Sequence, residues 1–250
     1  MCPVTYLALL SSIRSVCPQA LKDKRVVPAK RGRGNVSLSE RVYQALKREI
    51  VRGVFHPGEA LTEQDLAARY HSSRTPVREA ALRLQRENLM QIVANRGYFV
   101  TEISIQSVND IYDFRAAIEG ASAEFAAQSN WDAESMERLT KLAKMEFVID
   151  DHASYVRFIE ADTEFHVGIA QLARNPLLTR AVADMRTQME RIIYASVEIG
   201  YYGEMPMDEH FSILKAIQNR EPQVARELMF QHVYVSKDKV LRIASRGSRM

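Results

Sequence analysis

Two groups of side chains in this 250-residue chain have the types and spacing that chemistry requires. The first is the run Ser73-Arg74-Thr75-Pro76-Val77-Arg78-Glu79-Ala80. With Thr75 as a helix N-cap and Pro76 at the first helical position, where its missing N–H is harmless, Arg74 stands just before the helix. Arg78 then lies within its first turn. Both guanidinium groups project from the positive end of a helix whose unpaired N–H groups also attract anions. Cations are mildly disfavoured at that end, so two arginines there point to a recruited polyanion rather than to solvated charge. Arginine can bind guanine bidentately, a contact worth about 1–3 kcal/mol of discrimination. Thr75 is suited to a phosphate contact.

The second group is Asp162, His166, His210 and His232. Asp162 and His166 are i and i+4, which stacks them on one helical face. His210 and His232 fall on two successive helices, with the break near Pro222. A helical bundle can bring such residues from three helices to one point. One carboxylate and three imidazoles suit Zn²⁺, Ni²⁺ or Mn²⁺, with open positions for water or a ligand oxygen. On spacing alone the plainer reading, a helix-surface hydrogen bond and structural histidines, is the more common one.

Ordered structure is expected to begin near Ser37. Val42, Ala45, Leu46 and Ile50 keep a helical spacing up to Gly53, and His56-Pro57-Gly58 is a turn. Thr62, followed by Glu63, Gln64 and Asp65, starts a short helix through Tyr70. The helix after Thr75 buries Val77, Ala80, Ala81 and Leu84. Two β-like runs, Met90–Val93 and Tyr98–Thr101, are joined by Ala94-Asn95-Arg96-Gly97. Gly97 supplies the positive φ of a tight hairpin, and Arg96 at its tip can enter a flanking minor groove. Three helices and a β-hairpin outline a winged helix-turn-helix over residues 37–102. A linker at 103–106 leads to long amphipathic segments and no strand run. The marks are Val108 to Phe125; Leu139, Leu142 and Phe147; Tyr155 to Leu172; Asn175-Pro176 to about Val197; Met207 to Ile217; and Pro222 to Ile243. Residues 107–246 therefore read as an all-α bundle, and the chain as mainly α.

Charge is divided unevenly between these parts. Residues 1–105 carry 17 Lys+Arg against 9 Asp+Glu; the remainder carries 17 against 22, for a total of +3. A basic front and an acidic rear suggest a polyanion partner for the front alone. The only cysteines, Cys2 and Cys17, leave no disulfide framework, which fits the cytoplasm. The apolar stretch Val4–Leu10 is too short to span a bilayer and follows no basic segment, so neither a signal peptide nor a membrane partner is expected. Residues 1–36, basic from Lys22 to Asn35, read as a disordered tail.

The run Leu61-Thr62-Glu63-Gln64-Asp65-Leu66-Ala67, the Ser73–Ala80 run and Arg96-Gly97-Tyr98-Phe99-Val100 resemble the DNA-binding domain of the GntR family of bacterial transcription regulators. The resemblance implies DNA contact by Arg74, Thr75, Arg78, Arg96 and Gly97. Gln64 stands where some relatives carry a DNA-contacting arginine. The rear half resembles the FCD ligand-binding domain of the FadR subgroup. The matching pieces are Phe114-Arg115-Ala116-Ala117-Ile118-Glu119, Asp162-Thr163-Glu164-Phe165-His166, Ala173-Arg174-Asn175-Pro176-Leu177-Leu178, Glu209-His210 and His232. In that family one Asp and three His bind a divalent metal, and a small carboxylate effector often coordinates it. All four ligand positions are filled here. Arg115 matches an arginine that can face the cavity; pairing with an effector carboxylate and an ion pair with Glu119 fit it equally. His56, His71 and His152 sit by turns and read as surface residues.

The resulting expectation is a homodimeric, metabolite-responsive regulator, by default a repressor, on a pseudo-palindromic operator. A small organic acid at a metal site, with Zn²⁺ the first choice, would modulate its affinity. Two other classes remain: a metal-dependent hydrolase with a DNA tether, for which Glu209 is merely adjacent to a proposed ligand, and a DNA-binding protein whose bundle only dimerises.

Overall fold

The computed structural model describes residues 36–149, 151–198 and 207–247. The expected tail at 1–36 lies outside them save for Val36, as does the break at Gly200 and Gly203. The chain forms two compact units that meet in sequence at Ile103 and Ser104.

In the first unit, α1 (Leu38–Val51) starts at Ser37, whose hydroxyl accepts from the Glu40 N–H at 3.1 Å. It buries Val42, Tyr43, Leu46, Ile50 and Val51, and Gly53, at φ +75°, follows its end. Strand β1 (Ala60–Leu61) precedes α2 (Glu63–Arg69). Thr62 caps α2, accepting from the Asp65 N–H and donating to its carboxylate at 2.6 Å. Next come α3 (Arg74–Arg86), β2 (Met90–Val93) and β3 (Gly97–Val100). Helices α1 and α3 pack on one another around Leu46, Val77, Ala80 and Leu84.

Two local expectations are corrected. The N-cap of α3 is Ser73, not Thr75, so Arg74 opens the helix and Pro76 is its third residue. Proline is tolerated there because none of the first four N–H groups has a partner within the helix. The shifted register puts Arg74 and Arg78 at i and i+4 inside the helix, hence on one face. The wing is also a three-stranded antiparallel sheet of order β1-β3-β2, not a bare hairpin. Two-residue β1 pairs Ala60 with Phe99 and Leu61 with Tyr98; it is too short to show alternation. Gly97, at φ +93°, is required twice over, because a Cβ there would come within 3.0 Å of the Leu61 carbonyl.

The second unit is a bundle of α4 (Ile105–Gln128), α5 (Ala133–Ala143), α6 (His152–Leu172), α7 (Pro176–Glu198), α8 (Met207–Gln218) and α9 (Pro222–Gly247). Four of these starts have a chemical cause. Ser104 and Ser107 form a capping box for α4, and Asp132 and Asp151 cap α5 and α6. The Asn175 side chain accepts from the Leu177 N–H at 3.0 Å with Pro176 at the first position of α7. Helix α5 ends at Ala143, so Phe147 does not extend it; its ring packs edge-on against Tyr155, centroids 4.8 Å apart. Helix α6 packs against α4, α5 and α7. The bundle core is apolar around Tyr112, Phe165, Val182, Met189 and Val233, yet it encloses Arg115, Glu119, His166, Arg186, His210 and His232.

Candidate nucleic-acid interface and metal centre

On the first unit, Arg74 and Arg78 present about two thirds of their side chains to solvent (65% and 64%). Both are held from behind by one carboxylate at the start of α2. Arg78 Nε donates to Glu63 Oε2 at 2.6 Å, and Arg74 Nε lies 3.9 Å from Oε1. The Tyr98 hydroxyl of β3 donates to the same Oε2 at 3.2 Å. The Arg78 hydrogen bond, foremost, holds the Glu63 carboxyl below its usual range. Glu63 takes the Nε of Arg78; the terminal nitrogens of an arginine are a pair that can read a guanine edge. Thr75, Gln64 and Arg96 are exposed. Arg96 lies beside Phe99, its guanidinium carbon 5.6 Å from the ring centroid, next to half-buried Gly97.

In the second unit, α6, α8 and α9 bring Asp162, His166, His210 and His232 together. The His166, His210 and His232 ring nitrogens lie within 4.8 Å of one another, and all three residues are buried. His166 Nε2 is 3.3 Å from His232 Nε2, while Asp162 Oδ1 is 3.4 Å from His210 Nε2 and 3.7 Å from His166 Nε2. The outer nitrogens face carboxylates: His232 Nδ1 is hydrogen-bonded to Glu209 Oε2 at 2.7 Å, and His166 Nδ1 lies 2.7 Å from Glu119 Oε2 without hydrogen-bond geometry. A carboxylate against Nδ1 keeps the proton there and leaves the lone pair on Nε2. The two Nε2 atoms face each other across 3.3 Å, and with both protons on Nδ1 they form a pair of acceptors that a cation between them would satisfy.

His210 Nε2 strengthens the case, being buried without a hydrogen-bond partner among the described residues. Phe165 stacks on the His210 ring with centroids 4.1 Å apart and fixes its aim. Separations of 3.3–3.7 Å are those of neighbouring ligands around an ion with bonds of about 2.0–2.1 Å. The donor set fits a divalent ion.

The electrostatics agree. Burial alone would raise the Asp162 carboxyl, but the charge of Arg186 above all, with His166 and His210, holds it far below its usual range. Burial lowers His166 to about 4 against the pull of Glu119, and lowers His210 well below its ordinary value despite Asp162. Both imidazoles are thus neutral near pH 7, the form that binds a metal.

Arg115 makes the ion pair with Glu119 that was one of its two expected roles, and it also reaches His166. Its Nε donates to Glu119 Oε1 at 2.7 Å, and its Nη2 lies 3.3 Å from His166 Nε2. Arg186, on α7, was not foreseen; its guanidinium clasps Asp162 Oδ2 and leaves Oδ1 to face the histidines. The signal was a charged residue on an apolar stripe, since Val182 and Met189 flank it at i−4 and i+3 and are fully buried. Glu63 and Tyr98 lay inside the quoted motifs without a role. Glu209, merely adjacent to a proposed ligand in the sequence, is engaged with His232. His56, His71 and His152 are exposed. Among the described residues no helix is long and apolar enough to cross a membrane.

Comparison with known proteins gives a consistent picture. Residues 38–100 match the family described as bacterial regulatory proteins, gntR family, and residues 110–234 match the FCD domain. The HTH-type transcriptional repressor RspR of Escherichia coli (strain K12) is 29% identical over 211 residues, covering 84% of this chain and 92% of that protein. The HTH-type transcriptional repressor GlaR of the same organism is 30% identical over 201 residues, covering 76% and 90%. The Nta operon transcriptional regulator of Aminobacter aminovorans is 28% identical, covering 76% and 88%. Among solved structures, a putative transcriptional regulator GntR from Rhodococcus sp. RHA1 superposes with a TM-score of 0.66 at 22% identity, covering 82% of this chain and 97% of that one. E. coli McbR/YncC gives 0.67 at 20%, covering 83% and 98%. At such identities the two structures speak for the fold.

Proposed function

Because the chain belongs to the GntR family of bacterial regulatory proteins, with an FCD domain behind its DNA-binding head, we propose that it is a metabolite-responsive repressor whose operator affinity is set by a small carboxylate at a divalent metal site. The family and the relatives are transcriptional regulators, not enzymes, and regulators of this family bind operator DNA. The named relatives RspR and GlaR are repressors, which supports that sign here.

The head acts as a homodimer, placing two copies of α3 in successive major grooves of a pseudo-palindromic operator. Arg74 and Arg78 read base edges, Thr75 and Gln64 meet the backbone or flanking bases, and Arg96 with Gly97 at the wing tip approaches the minor groove. In the rear, Asp162, His166, His210 and His232 hold the metal, with zinc the first choice and nickel or manganese the others. The metal supplies a Lewis-acid position for a carboxylate oxygen. Glu119 and Glu209 keep the His166 and His232 rings aimed inward, and Arg186 keeps Asp162 turned. Arg115 yields the His166 nitrogen and then offers its guanidinium to the effector carboxylate. The effector repacks the bundle and changes the presentation of the two heads; a coupling of about 1–3 kcal/mol is enough to release an operator.

The observation that carries this reading is the convergence of three buried imidazole nitrogens and Asp162 Oδ1, with Arg115 alongside. The test is a thermal-shift screen of small carboxylates with and without chelator, followed by operator titration with any hit. A carboxylate that stabilises only the metal-loaded protein and weakens operator binding supports it. If no carboxylate does so, and His210→Ala leaves the metal stoichiometry unchanged, the effector site is wrong and the bundle serves dimerisation alone.

A further inference from the structure

An acid stands among the groups that should meet a polyanion. Glu63 touches both of the exposed arginines of α3, and a carboxylate there repels phosphate. Its position has a structural origin, because three elements meet at this one side chain. Strand β1 ends at Leu61, and Glu63 opens α2 two residues later. The pairing of Leu61 with Tyr98 sets β3 beside that start, and buried Tyr98 donates its hydroxyl to Glu63 Oε2 at 3.2 Å. From α3, Arg78 Nε donates to the same oxygen at 2.6 Å, and Arg74 Nε lies 3.9 Å from Oε1. The Glu63 side chain is 22% exposed, against 65% and 64% for the two arginines. The acid is thus seated in the head, and the cations stand outside it.

This arrangement bears differently on two kinds of binding. An exposed arginine has many rotamers, and fixing it in a groove costs entropy. Ordering it beforehand lowers that cost. A single contact to phosphate tolerates many directions, whereas a bidentate contact to a guanine edge demands one. A carboxylate bonded to Arg78 Nε therefore subtracts from the attraction to any duplex and adds to recognition of the right one. Specificity is the difference between those two affinities, so both effects raise it.

We propose that Glu63 is a positioning residue for sequence recognition, a carboxylate that orders the Arg78 side chain and exchanges general DNA affinity for discrimination. The inference rests on the reading of α3 as the helix that meets base edges. It also gives a use to the short strand β1, whose pairing brings Tyr98 against the start of α2 and holds the carboxylate from the wing.

The test uses the full-length protein and an operator that it selects from a randomised duplex pool. Glu63→Ala, Glu63→Gln, Arg78→Ala and the double variant Glu63→Ala/Arg78→Ala are measured on that operator, on a random duplex and on the pool. Glu63→Ala should bind the operator about tenfold more weakly, as for one degraded bidentate contact. It should bind the random duplex more tightly at low salt, because a repelling charge has gone. The pool should lose its preference at the same base pair that Arg78→Ala relaxes. Glu63→Gln keeps an oxygen for the Nε donor without the charge. It should match Glu63→Ala on the random duplex yet retain most of the preference. The double variant should be no less specific than Arg78→Ala, since a brace has no effect once the braced group is absent.

Tighter binding of Glu63→Ala to both duplexes would make Glu63 a mere opposing charge. Equal weakening on both, with a lowered melting point, would make it a brace of the fold. Either result overturns the proposal. Relaxation at a base pair other than the one lost in Arg78→Ala overturns it too, because a carboxylate can itself accept from a cytosine amine. If Arg78→Ala relaxes no base pair, the base-reading role of α3 falls, and this inference with it. If Arg78→Ala relaxes one and Glu63→Ala none, only the positioning role falls.

Discussion

Arg74 and Arg78 stand about two thirds exposed, with Glu63 behind them, whereas Arg115 and Arg186 are sealed in the bundle at 1% exposure each. The same side chain is used under opposite conditions, and the ligands explain why. A duplex brings its own phosphates and a groove wide enough for a helix, so the protein need only hold charge outward in solvent. The proposed metal and small acid would have to be enclosed, and an enclosed cation is costly unless its counter-charge is built in beforehand. Glu119 and Asp162 supply that counter-charge. The front therefore depends on the chemistry of exposed groups, and the rear on the completeness of a buried network.

That contrast can be broken in four places, from the largest expected effect to the smallest. Arg186→Ala leaves Asp162 charged and buried without its main partner, which should cost the rear unit about 3–5 kcal/mol. Saturating zinc should return part of it by neutralising the same carboxylate; urea unfolding followed through Trp131, which lies in the rear unit, measures both. A loss below about 1 kcal/mol would mean that the network is not needed. Arg78→Ala, by contrast, should leave unfolding unchanged and weaken the specific operator about 10²-fold, since a dimer loses two bidentate contacts. Footprinting together with a melting curve separates the two effects, and unaltered protection would remove Arg78 from the interface.

Glu209→Gln tests the aim of His232 without touching a ligand. Metal affinity should fall about 10–100-fold while metal-free operator binding stays as it was. Equal loss of both would contradict the separation of the two halves. The last test is acid. His166 holds its proton with a pKa of about 4 when folded and 6.5 when unprotected, so the unfolded chain takes up the proton first as pH falls. Its contribution is whole above about pH 6.5 and is lost progressively toward pH 4, where the lowered carboxyls of Asp162 and Glu119 begin to add losses of the same sign. The Trp131-detected midpoint of the metal-free protein should decline across that window. A midpoint level down to pH 4.5 would mean that the imidazole is not sealed as described.

The halves also differ in how far they could be read before the structure. The front was legible because its signals are contiguous: a cap at Thr62, arginines four apart and a Gly97 turn all lie within 65 residues of local pattern. Its error was also local, a helix start displaced from Arg74 to Pro76, because a proline is acceptable at several positions of a first turn. The proposed rear ligands sit on three helices, and nothing in their spacing distinguishes them from ordinary core histidines; only the resemblance gathered them. Arg186 and Glu119 were harder still. Their roles are defined by what α7 and α4 pack against, and a single strand of letters does not contain that contact. Strand β1 escaped for a different reason, since two residues carry no period.

Helix α4 begins at Ile105, capped by Ser104, which directly follows the last front-unit residue of the main segment, Ile103. Arg115 comes eleven positions after that cap, roughly 16 Å along a stiff rod. Four non-helical residues, Thr101 to Ser104, separate the end of β3 from the start of that rod. Under the proposed function Arg115 pulls on this helix, so lengthening that stretch by a few glycines should leave operator binding and acid binding intact while uncoupling one from the other.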